Sequence, residues 1–278
     1  MAHKDPKIIE YNIKLLDCSS VDFYLHIDKK SQLNDYLYLE DIPKYSHVYF
    51  VPQFNIYWGG QNQIKAEIAL FQAAFEKAYN YYHLISGQDM LVKSRDNFLM
   101  FFQEKEKDFL KIGREASGMM LDRVKYYHPI SQTGLSRFQI GWRIGHMLVL
   151  LQKLFHINRC KVLPIYFGEN WCSLTSSFVS FLLSKYEDGF IAKYFYCSGN
   201  ADELYKQTIY KMWVNLIGSD NHANTSIRYV DWSENKASPK TLQIEDYDKI
   251  YSGNYLFARK VTSENGLPRR IFDGLNIK

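Results

Sequence analysis

Two adjacent carboxylates, Asp202 and Glu203, are the side chains of this chain best placed for acid–base chemistry. They closely follow Ser198-Gly199, where the pattern predicts the start of a helix. A carboxylate held at that point can accept a proton from an incoming hydroxyl group. The same residues also fit a capping box, in which Asn200 caps the helix and the Glu203 side chain folds back onto it. From the residues alone, both interpretations stay open.

Length and composition are those of a soluble globular protein. The chain has 278 residues, of which 46% are hydrophobic and 23% are charged. It contains 22 Tyr and 18 Phe, which suit either a packed aromatic core or contacts with sugar rings. The net charge is +4 and the basic residues are dispersed, so no stripe for nucleic acid is expected. This small excess of positive charge suits a pocket for a phosphorylated ligand or contact with an anionic membrane surface.

The cysteines and the apolar runs indicate the compartment. Four cysteines are scattered without a Cys-x-x-Cys spacing, so we expect reduced thiols and neither a disulfide frame nor a zinc site. No apolar run approaches the roughly 20 residues of a membrane span, and the N-terminus lacks the apolar core of a signal peptide. We therefore expect a cytoplasmic protein, at most peripherally bound to the inner face of a membrane.

The first ninety residues alternate between predicted strands and helices. The pattern predicts a helix over 8–17, strands over 21–27 and 46–51, a helix over 62–82 and a strand over 82–85. Such alternation favours an α/β fold with parallel strands, which bind ligands at their carboxyl ends. Asp28 and Asp89 both follow a predicted strand, so the nucleotide is expected there. A doubly wound domain normally opens on a central strand, and we expect that strand to precede Met1 or to be missing.

The remainder is predicted to be largely helical, with helices over 97–111, 135–156 and 173–186. Its basic residues are interpreted as solvated helix faces: Arg114, Arg123, Lys125, Arg137 and Arg143. The Asp-x-Asp at Asp246 and Asp248 fits a helix start better than a metal site. No internal repeat or linker is visible, so one domain over 1–278 is the simplest division.

Seven segments in order resemble one enzyme family. They are Phe23-Tyr-Leu-His-Ile-Asp-Lys-Lys-Ser31, Trp58-Gly-Gly60, Tyr82-His-Leu-Ile-Ser-Gly-Gln-Asp89, Gly168-Glu-Asn-Trp-Cys-Ser-Leu-Thr175, Asp202-Glu203 with Thr208, Arg228-Tyr-Val-Asp-Trp232 and Phe257-Ala-Arg-Lys260. Together they resemble the core-2/I-branching β-1,6-N-acetylglucosaminyltransferases, a family that includes the peptide O-xylosyltransferases. The chain looks like a bacterial-type member.

The resemblance implies a fold, a reaction and a domain layout. The fold is α/β, a GT-A-type, Rossmann-like mixed sheet flanked by helices in a single domain. The reaction is inverting transfer of a sugar from UDP, with N-acetylglucosamine expected first and xylose next. The family uses basic side chains in place of a metal ion, so no metal or other cofactor is expected. Residues 1–95 would form the nucleotide-sugar-binding half and residues 96–278 the acceptor-binding and catalytic half.

The resemblance also assigns roles to single residues. Glu203 becomes the general base, because Tyr205 and Thr208 fill the flanking places of the family pattern. The donor-binding residues would be Asp89, Lys260, Lys240, His26 and Asp28, where Lys240 replaces a family arginine. Trp232 and Trp171 would contact the acceptor, with packing into the core as the alternative for Trp232. Glu234 stands where the family has tyrosine, so the acceptor itself is not carried over.

Two rival functions stay open. One is a glycan- or nucleotide-binding protein that keeps the fold without turnover. The other is a nucleic-acid-binding protein, against which the dispersed basic residues argue.

Overall fold

The computed structural model describes residues 1–103, 105–161 and 163–276. The helices are α1 (Pro6–Leu16), α2 (Asn34–Leu37), α3 (Asn62–Phe75), α4 (Arg95–Phe102), α5 (Gly118–Lys125), α6 (Gln139–Leu154), α7 (Ser176–Glu187), α8 (Phe190–Phe195), α9 (Tyr205–Ile217), α10 (Tyr247–Ser252) and α11 (Leu267–Asn276). The strands are β1 (Phe23–Leu25), β2 (Val48–Phe50), β3 (Tyr81–Leu84), β4 (Met90–Leu91), β5 (Asp108–Phe109), β6 (Ile112–Glu115), β7 (Tyr166–Gly168), β8 (Cys172–Thr175), β9 (His222–Ala223), β10 (Arg228–Val230) and β11 (Phe257–Arg259).

The contacts divide the chain into two compact units. Unit 1 comprises Met1–Val51, Ile85–Glu106 and Ile227–Lys278, and unit 2 comprises Pro52–Leu84 and Lys107–Ser226. The chain therefore passes between the units several times. The division into a donor-binding and an acceptor-binding half at residue 95 remains a prediction about function. The two packed units have other boundaries.

Unit 1 is built around a parallel strand pair and a buried helix. β1 pairs with β2 in parallel, with Phe23 opposite Val48, and α1 buries Ile8, Ile9 and Ile13. Pro6 opens α1, where its missing N–H costs no hydrogen bond. The Ala2 N–H donates to the His26 carbonyl at 2.8 Å, so the first residues extend this pairing. A second sheet has the order β10-β11-β4, with β10 parallel and β4 antiparallel to β11.

Unit 2 contains a mixed sheet covered by helices. Its strand order is β3-β8-β5-β9, and the central β8 runs antiparallel to both of its neighbours. Helix α7 packs against α3 and α9, and it buries Phe178, Val179 and Leu182. A separate antiparallel pair joins β6 and β7. The predicted α/β class, with mixed sheets flanked by helices, is confirmed.

Several predicted elements were wrong in extent or kind. The parallel prediction holds for β1 and β2, but β3 pairs antiparallel with β8. The helix predicted over 62–82 ends at Phe75, before β3 begins. The helix predicted over 135–156 is an α-helix only over Gln139–Leu154.

Two further corrections concern helices that the sequence extended over strands. The helix predicted over 97–111 ends at Phe102 and gives way to β5, and its residue Glu104 lies outside the described residues. The helix predicted over 173–186 begins only at Ser176, because its first residues form β8. There Thr175 Oγ1 accepts the Phe178 N–H and caps the helix. Short apolar runs fit both periods, so sequence alone did not separate them. None of the helices in the described ranges has the length and hydropathy of a membrane span.

Candidate active site

Glu203 lies on a short 3₁₀ turn, Ala201–Glu203, immediately before α9 in unit 2. Its Oε2 accepts a hydrogen bond from Arg123 Nη1 at 3.0 Å, and the side chain is 42% exposed. Within the described residues, the other oxygen, Oε1, makes no hydrogen bond. The carboxylate is therefore oriented on one side and open on the other, as a proton acceptor for an incoming hydroxyl should be.

The capping-box interpretation of this turn is wrong. Asn200 adopts a left-handed conformation with φ 49°, and its side chain makes no capping hydrogen bond. Glu203 does not fold back onto it, because its carboxylate is held by Arg123 on α5. The two carboxylates lie at the start of a helix, as predicted, but the Glu203 side chain is oriented by Arg123 and not by its own helix.

Gly59 packs directly against Asn200 at the start of the turn, and the adjacent Gly60 packs against Ser131. A Cβ added to Gly59 would lie 2.0 Å from Asn200 Oδ1, and one added to Gly60 would lie 2.8 Å from the Ser131 carbonyl oxygen. Gly59 also has φ 73°, which favours glycine. Its carbonyl accepts the Asn200 N–H at 2.9 Å. The Trp58-Gly-Gly60 segment is therefore a backbone support for the turn that carries Glu203.

Below the turn lies a fully buried polar cluster. Lys206 Nζ lies 2.5 Å from Glu67 Oε2 and also bonds Asn170 Oδ1, and the side chains of both Lys206 and Glu67 have no exposed surface. The hydroxyl of Tyr205 donates to Glu67 Oε2 at 2.7 Å, and Asn170 Nδ2 donates to Glu67 Oε1 at 2.7 Å. Burial and the Glu67 charge raise the pKa of Tyr205 well above its usual value, which keeps its proton in place. The cluster joins two of the family-like segments to α3.

Asp202 has a different environment from Glu203. Gln63 Nε2 donates to its Oδ2 at 2.8 Å. Burial, followed by the charges of Glu67 and Glu203, raises the pKa of Asp202 to about 7. Near neutral pH this carboxyl is therefore partly protonated, and it is more enclosed than the neighbouring Glu203 side chain.

The raised pKa of Asp202 predicts a pH-dependent stability. The folded protein binds this proton more tightly than the unfolded chain, so its ionisation lowers stability as the pH rises from about 4 to about 7. Asp202→Asn removes the titration and can still accept the Gln63 hydrogen bond. The melting temperature of the variant relative to the unmutated protein is expected to rise across that window and to level off above it, in thermal unfolding followed by circular dichroism.

Asp188→Asn is the opposite control for this experiment. Hydrogen bonding from Lys185 lowers the pKa of Asp188, so its stabilising contribution is lost as the pH falls. The relative stability of that variant should therefore decrease as the pH rises to about 4 and stay constant across the window in which Asp202 titrates. A difference for Asp202→Asn that does not change with pH would contradict the raised pKa.

In unit 1, Asp89 draws three family-like segments together. It has no exposed surface, and its carboxylate accepts hydrogen bonds from the Ser86 N–H at 3.0 Å and the Ser86 hydroxyl at 3.1 Å. Arg228 Nε lies 3.5 Å from Oδ2, and Arg259 Nη1 lies 3.4 Å from Oδ1. Asp89 therefore holds together the segments that carry Arg228 and Arg259. Its direct contact with the donor stays a prediction.

His26 and Asp28 lie beside the N-terminal residues of the same unit. His26 is 1% exposed, and burial followed by the N-terminal amine lowers its pKa to about 4. Asp28 is 7% exposed, and its Oδ2 lies 2.8 Å from Lys30 Nζ. The side chains of His26 and Asp28 are thus mostly enclosed. Lys30, the more exposed partner of the ion pair with Asp28, carries the positive charge at the surface.

An open cleft of about 450 Å³ runs along this part of unit 1. Its lining residues are His3, Lys4, Asp5, Pro6, Lys30, Ser31, Gln32, Asp35 and Tyr36. Burial, followed by Lys4, lowers the pKa of His3, and the charges of Lys260 and Lys30 act in the same direction. The lining of the cleft is therefore of mixed charge, with Lys4 and Lys30 beside Asp5 and Asp35, and Lys260 is near enough to act on His3.

Lys260 is the least compensated of the predicted cations. It follows β11, is half-buried, and its pKa is lowered by burial and then by Arg259 and Lys4. Among the described residues no carboxylate forms an ion pair with it. Lys240 is different, because its Nζ lies 3.0 Å from Asp246 Oδ2 and 3.8 Å from Asp231 Oδ2. The backbones of the two lysines are adjacent, since the Lys260 carbonyl accepts the Leu242 N–H at 2.8 Å.

The predicted acceptor residues lie in different units. Trp232 follows β10 in unit 1 and is 52% exposed, so packing of this ring into the core is ruled out. Trp171 is half-buried in unit 2, next to Asn170 of the buried cluster. The exposed indole of Trp232 can stack on a sugar ring.

The Asp-x-Asp segment is a helix start, as predicted. Asp246 Oδ2 accepts the Gln243 N–H at 2.8 Å in a capping box that opens the turn before α10. Within residues 1–103, 105–161 and 163–276, no group of three or more His, Cys, Asp or Glu side chains is arranged to hold a metal ion.

The sequence missed the residues that hold Glu203. Arg123 was interpreted as part of a solvated face, and Gln63, Glu67 and Lys206 were not singled out. Their partners lie 80 to 139 positions away along the chain. The one available signal was the Gly59-Gly60 pair before α3, which marks a close backbone approach.

An α/β fold that carries an oriented carboxylate open to solvent fits an enzyme that removes a proton from a hydroxyl group. The chain belongs to the Core-2/I-branching enzyme family, whose sequence profile matches residues 4–251, and it is thus a glycosyltransferase by family. Among solved structures, apo mouse xyloside xylosyltransferase 1 is similar over 91% of this chain and 91% of its own, at 10% identity and a TM-score of 0.37. That likeness is too distant to bear on the site. No curated protein sequence is significantly similar to the chain.

Proposed function

We propose that this glycosyltransferase moves N-acetylglucosamine, or otherwise xylose, from its UDP conjugate to a hydroxyl group of a glycan or glycoconjugate, with inversion and without a metal ion. The bond from the anomeric carbon to the acceptor oxygen forms as the bond to the diphosphate breaks. Glu203 takes the hydroxyl proton, and UDP leaves from the opposite face of the sugar. A single displacement of this kind inverts the anomeric carbon.

The geometry of Glu203 carries the proposal. Its Oε2 is fixed by Arg123 while Oε1 remains open, and the turn beneath it rests on Gly59 and on the buried Lys206–Glu67 pair. A base must be held in one orientation to act in the transition state. Asp202 is less suited to this role, because it is largely desolvated, whereas the Glu203 side chain is 42% exposed and open to an incoming hydroxyl group.

The cations of unit 1 support the assignment of the leaving group. Lys260 lacks an ion-paired carboxylate within the described residues, and the positive charges of Arg259 and Lys4 act on it more strongly than the negative charge of Asp89. Such a cluster is relieved when an anion binds, and a diphosphate supplies that charge. We assign Lys260 to the diphosphate. Lys240, whose charge is already compensated by Asp246 and Asp231, has the smaller share.

Calorimetric titration in excess EDTA tests this assignment. UDP-N-acetylglucosamine, UDP-xylose, UDP-glucose and UDP are titrated into the protein and into its Lys260→Ala variant. One UDP-sugar is expected to bind saturably without metal, and removing Lys260 should weaken UDP binding by about 1.5–3 kcal/mol, the usual range for a hydrogen bond to a charged group. Lys249→Ala, an exposed lysine of α10 in the same unit, should leave the affinity unchanged.

Each other outcome has a distinct meaning. Binding that requires added magnesium or manganese would refute metal independence and the role of Lys260. Equal UDP affinity for Lys260→Ala and Lys249→Ala would place the diphosphate elsewhere. Binding of a UDP-sugar without turnover towards any glycan acceptor would favour the alternative, a glycan- or nucleotide-binding protein on the same fold.

A further inference from the structure

Helix α6 presents an unusually apolar outer face to solvent. Of its sixteen residues only Gly141 is buried. The α6 face, as defined here, consists of outward-facing apolar residues on the helix and at its two ends, each at least 44% exposed: Phe138, Ile140, Trp142, Met147, Leu150, Leu151, Leu154 and Phe155. Eight large apolar side chains exposed on one short segment are more than the scattered single residues of an ordinary surface, and such a concentration marks an interaction surface.

The helix is held firmly by its other face. A Cβ on Gly141 would lie 1.9 Å from the Leu135 carbonyl oxygen, so the backbone packs directly on the preceding turn. Gln152 bonds the backbone of Tyr127 in both directions, at 2.7 Å to its N–H and 2.8 Å to its carbonyl. The outward direction of the α6 face is therefore fixed by the packing of unit 2.

The charged residues of the stretch that contains the α6 face are all basic. No Asp or Glu occurs between Asp122 and Glu169, whereas this stretch contains seven basic residues: Arg123, Lys125, Arg137, Arg143, Lys153, Arg159 and Lys161. Three of them are engaged inside the unit, with Arg123 on Glu203, Lys153 on Asp122 and Arg159 on the Lys193 carbonyl. Arg137 and Arg143 are exposed beside the apolar side chains and form no ion pair in the part of the chain that the structure describes.

This combination of charges decides between the occupants of the face. Two copies meeting face to face would bury Arg137 and Arg143 without an acidic partner from the same stretch, and burying an unpaired charge is unfavourable. An anionic bilayer instead accepts the apolar side chains among its acyl chains and the arginines at its phosphates. Long basic side chains reach the headgroups while their stems stay with the apolar residues, and Trp142 suits the interface.

We propose that the α6 face docks unit 2 onto an anionic lipid bilayer, with the helix lying in the interfacial plane. The inference does not depend on the activity proposed above, because it rests on the exposed apolar side chains and on the charge of the stretch between Asp122 and Glu169. It predicts binding that requires both anionic lipid and the apolar side chains.

Flotation with lipid vesicles tests the proposal. The protein is mixed with vesicles of phosphatidylcholine alone or of phosphatidylcholine with phosphatidylglycerol, at low and high salt. It should float only with the mixed vesicles and less at high salt, since salt screens the charges. Leu150→Glu with Leu154→Glu should lower the partition coefficient by about tenfold or more, because two side chains that would enter the bilayer become charged. Arg137→Glu with Arg143→Glu should abolish the preference for anionic lipid.

Leu216→Glu is the matched control, because Leu216 is 69% exposed, like Leu154, but lies on α9 away from the face. Thermal unfolding of every variant checks that the fold is kept. Failure to float with the mixed vesicles, or equal flotation of the Leu150/Leu154 and Leu216 variants, would overturn the proposal. Concentration-dependent association in analytical ultracentrifugation that Leu150→Glu with Leu154→Glu removes would instead assign the face to a second copy.

Discussion

Glu203→Gln is expected to lower turnover by about 10²–10⁴-fold, the usual contribution of a positioned general base. Glutamine has nearly the same size as glutamate, and its amide oxygen can still accept the hydrogen bond from Arg123. It cannot take the acceptor proton, so the loss should appear in kcat. The affinity for UDP should not change, because the donor is assigned to other residues. Steady-state kinetics with the donor found by calorimetry, together with UDP titration of the variant, measure both quantities.

The matched control for this experiment is Asp188→Asn. Asp188 lies in the same unit, its side chain is 45% exposed, and it pairs with Lys185, so it resembles Glu203 in setting but lies outside the turn that carries Glu203. Its variant should keep the kcat of the unmutated protein. Full turnover in Glu203→Gln would mean that another group takes the proton. An equal loss in both variants would point to a general effect of removing a carboxylate from this unit.

The sequence located Glu203 more accurately than it explained it. The residues around Asp202-Glu203 predicted the start of a helix and a role as general base, and the turn does lie directly before α9. The same residues also predicted a capping box, which does not form. Local patterns cannot choose between a side chain that folds back on its own helix and one that reaches Arg123, because that choice depends on which distant helix packs nearby.

Long-range polar pairs were the part that the sequence could not give. Lys206 and Glu67 are separated by 139 positions, and in the sequence each is one charged residue on a helix. Helical periodicity predicts which side of α9 is buried, but it places charged residues outside by default. Asp89 itself was predicted as a site residue at the turn after β3, but its proximity to Arg228 and Arg259 was not.

Strand assignments failed where the apolar run was short. β5 and β8 have only two and four residues, and each was absorbed into a predicted helix beside it. In both cases a tertiary contact decides the outcome, because β8 is held between β3 and β5. β1 and β3 are equally short, but they were recognised because charged or turn residues end their apolar runs, Asp28-Lys29-Lys30 after β1 and Ser86-Gly87 after β3.

Lys206→Met is expected to destabilise the protein by roughly 3–5 kcal/mol, the usual cost of removing one partner of a buried ion pair. Methionine fills most of the volume of the lysine side chain but leaves Glu67 buried with only the donors from Tyr205 and Asn170. The charge then has no cation beside it in a region without water contact. Urea unfolding followed by fluorescence measures the change in the free energy of unfolding.

A double-mutant cycle separates the charge effect from the packing effect of this substitution. In Lys206→Met combined with Glu67→Gln, no charge is left unpaired, so the double variant should be clearly more stable than Lys206→Met alone. Lys211→Met, on the same helix and paired with Asp220 while 29% exposed, should cost no more than about 1 kcal/mol. If Lys206→Met cost no more than Lys211→Met, the buried pair would not support the turn, and the orientation of Glu203 would have to come from Arg123 and Gly59 alone. If Lys206→Met costs several times more than Lys211→Met and Glu67→Gln recovers part of the loss, the buried Lys206–Glu67 pair stabilises the turn that carries Glu203.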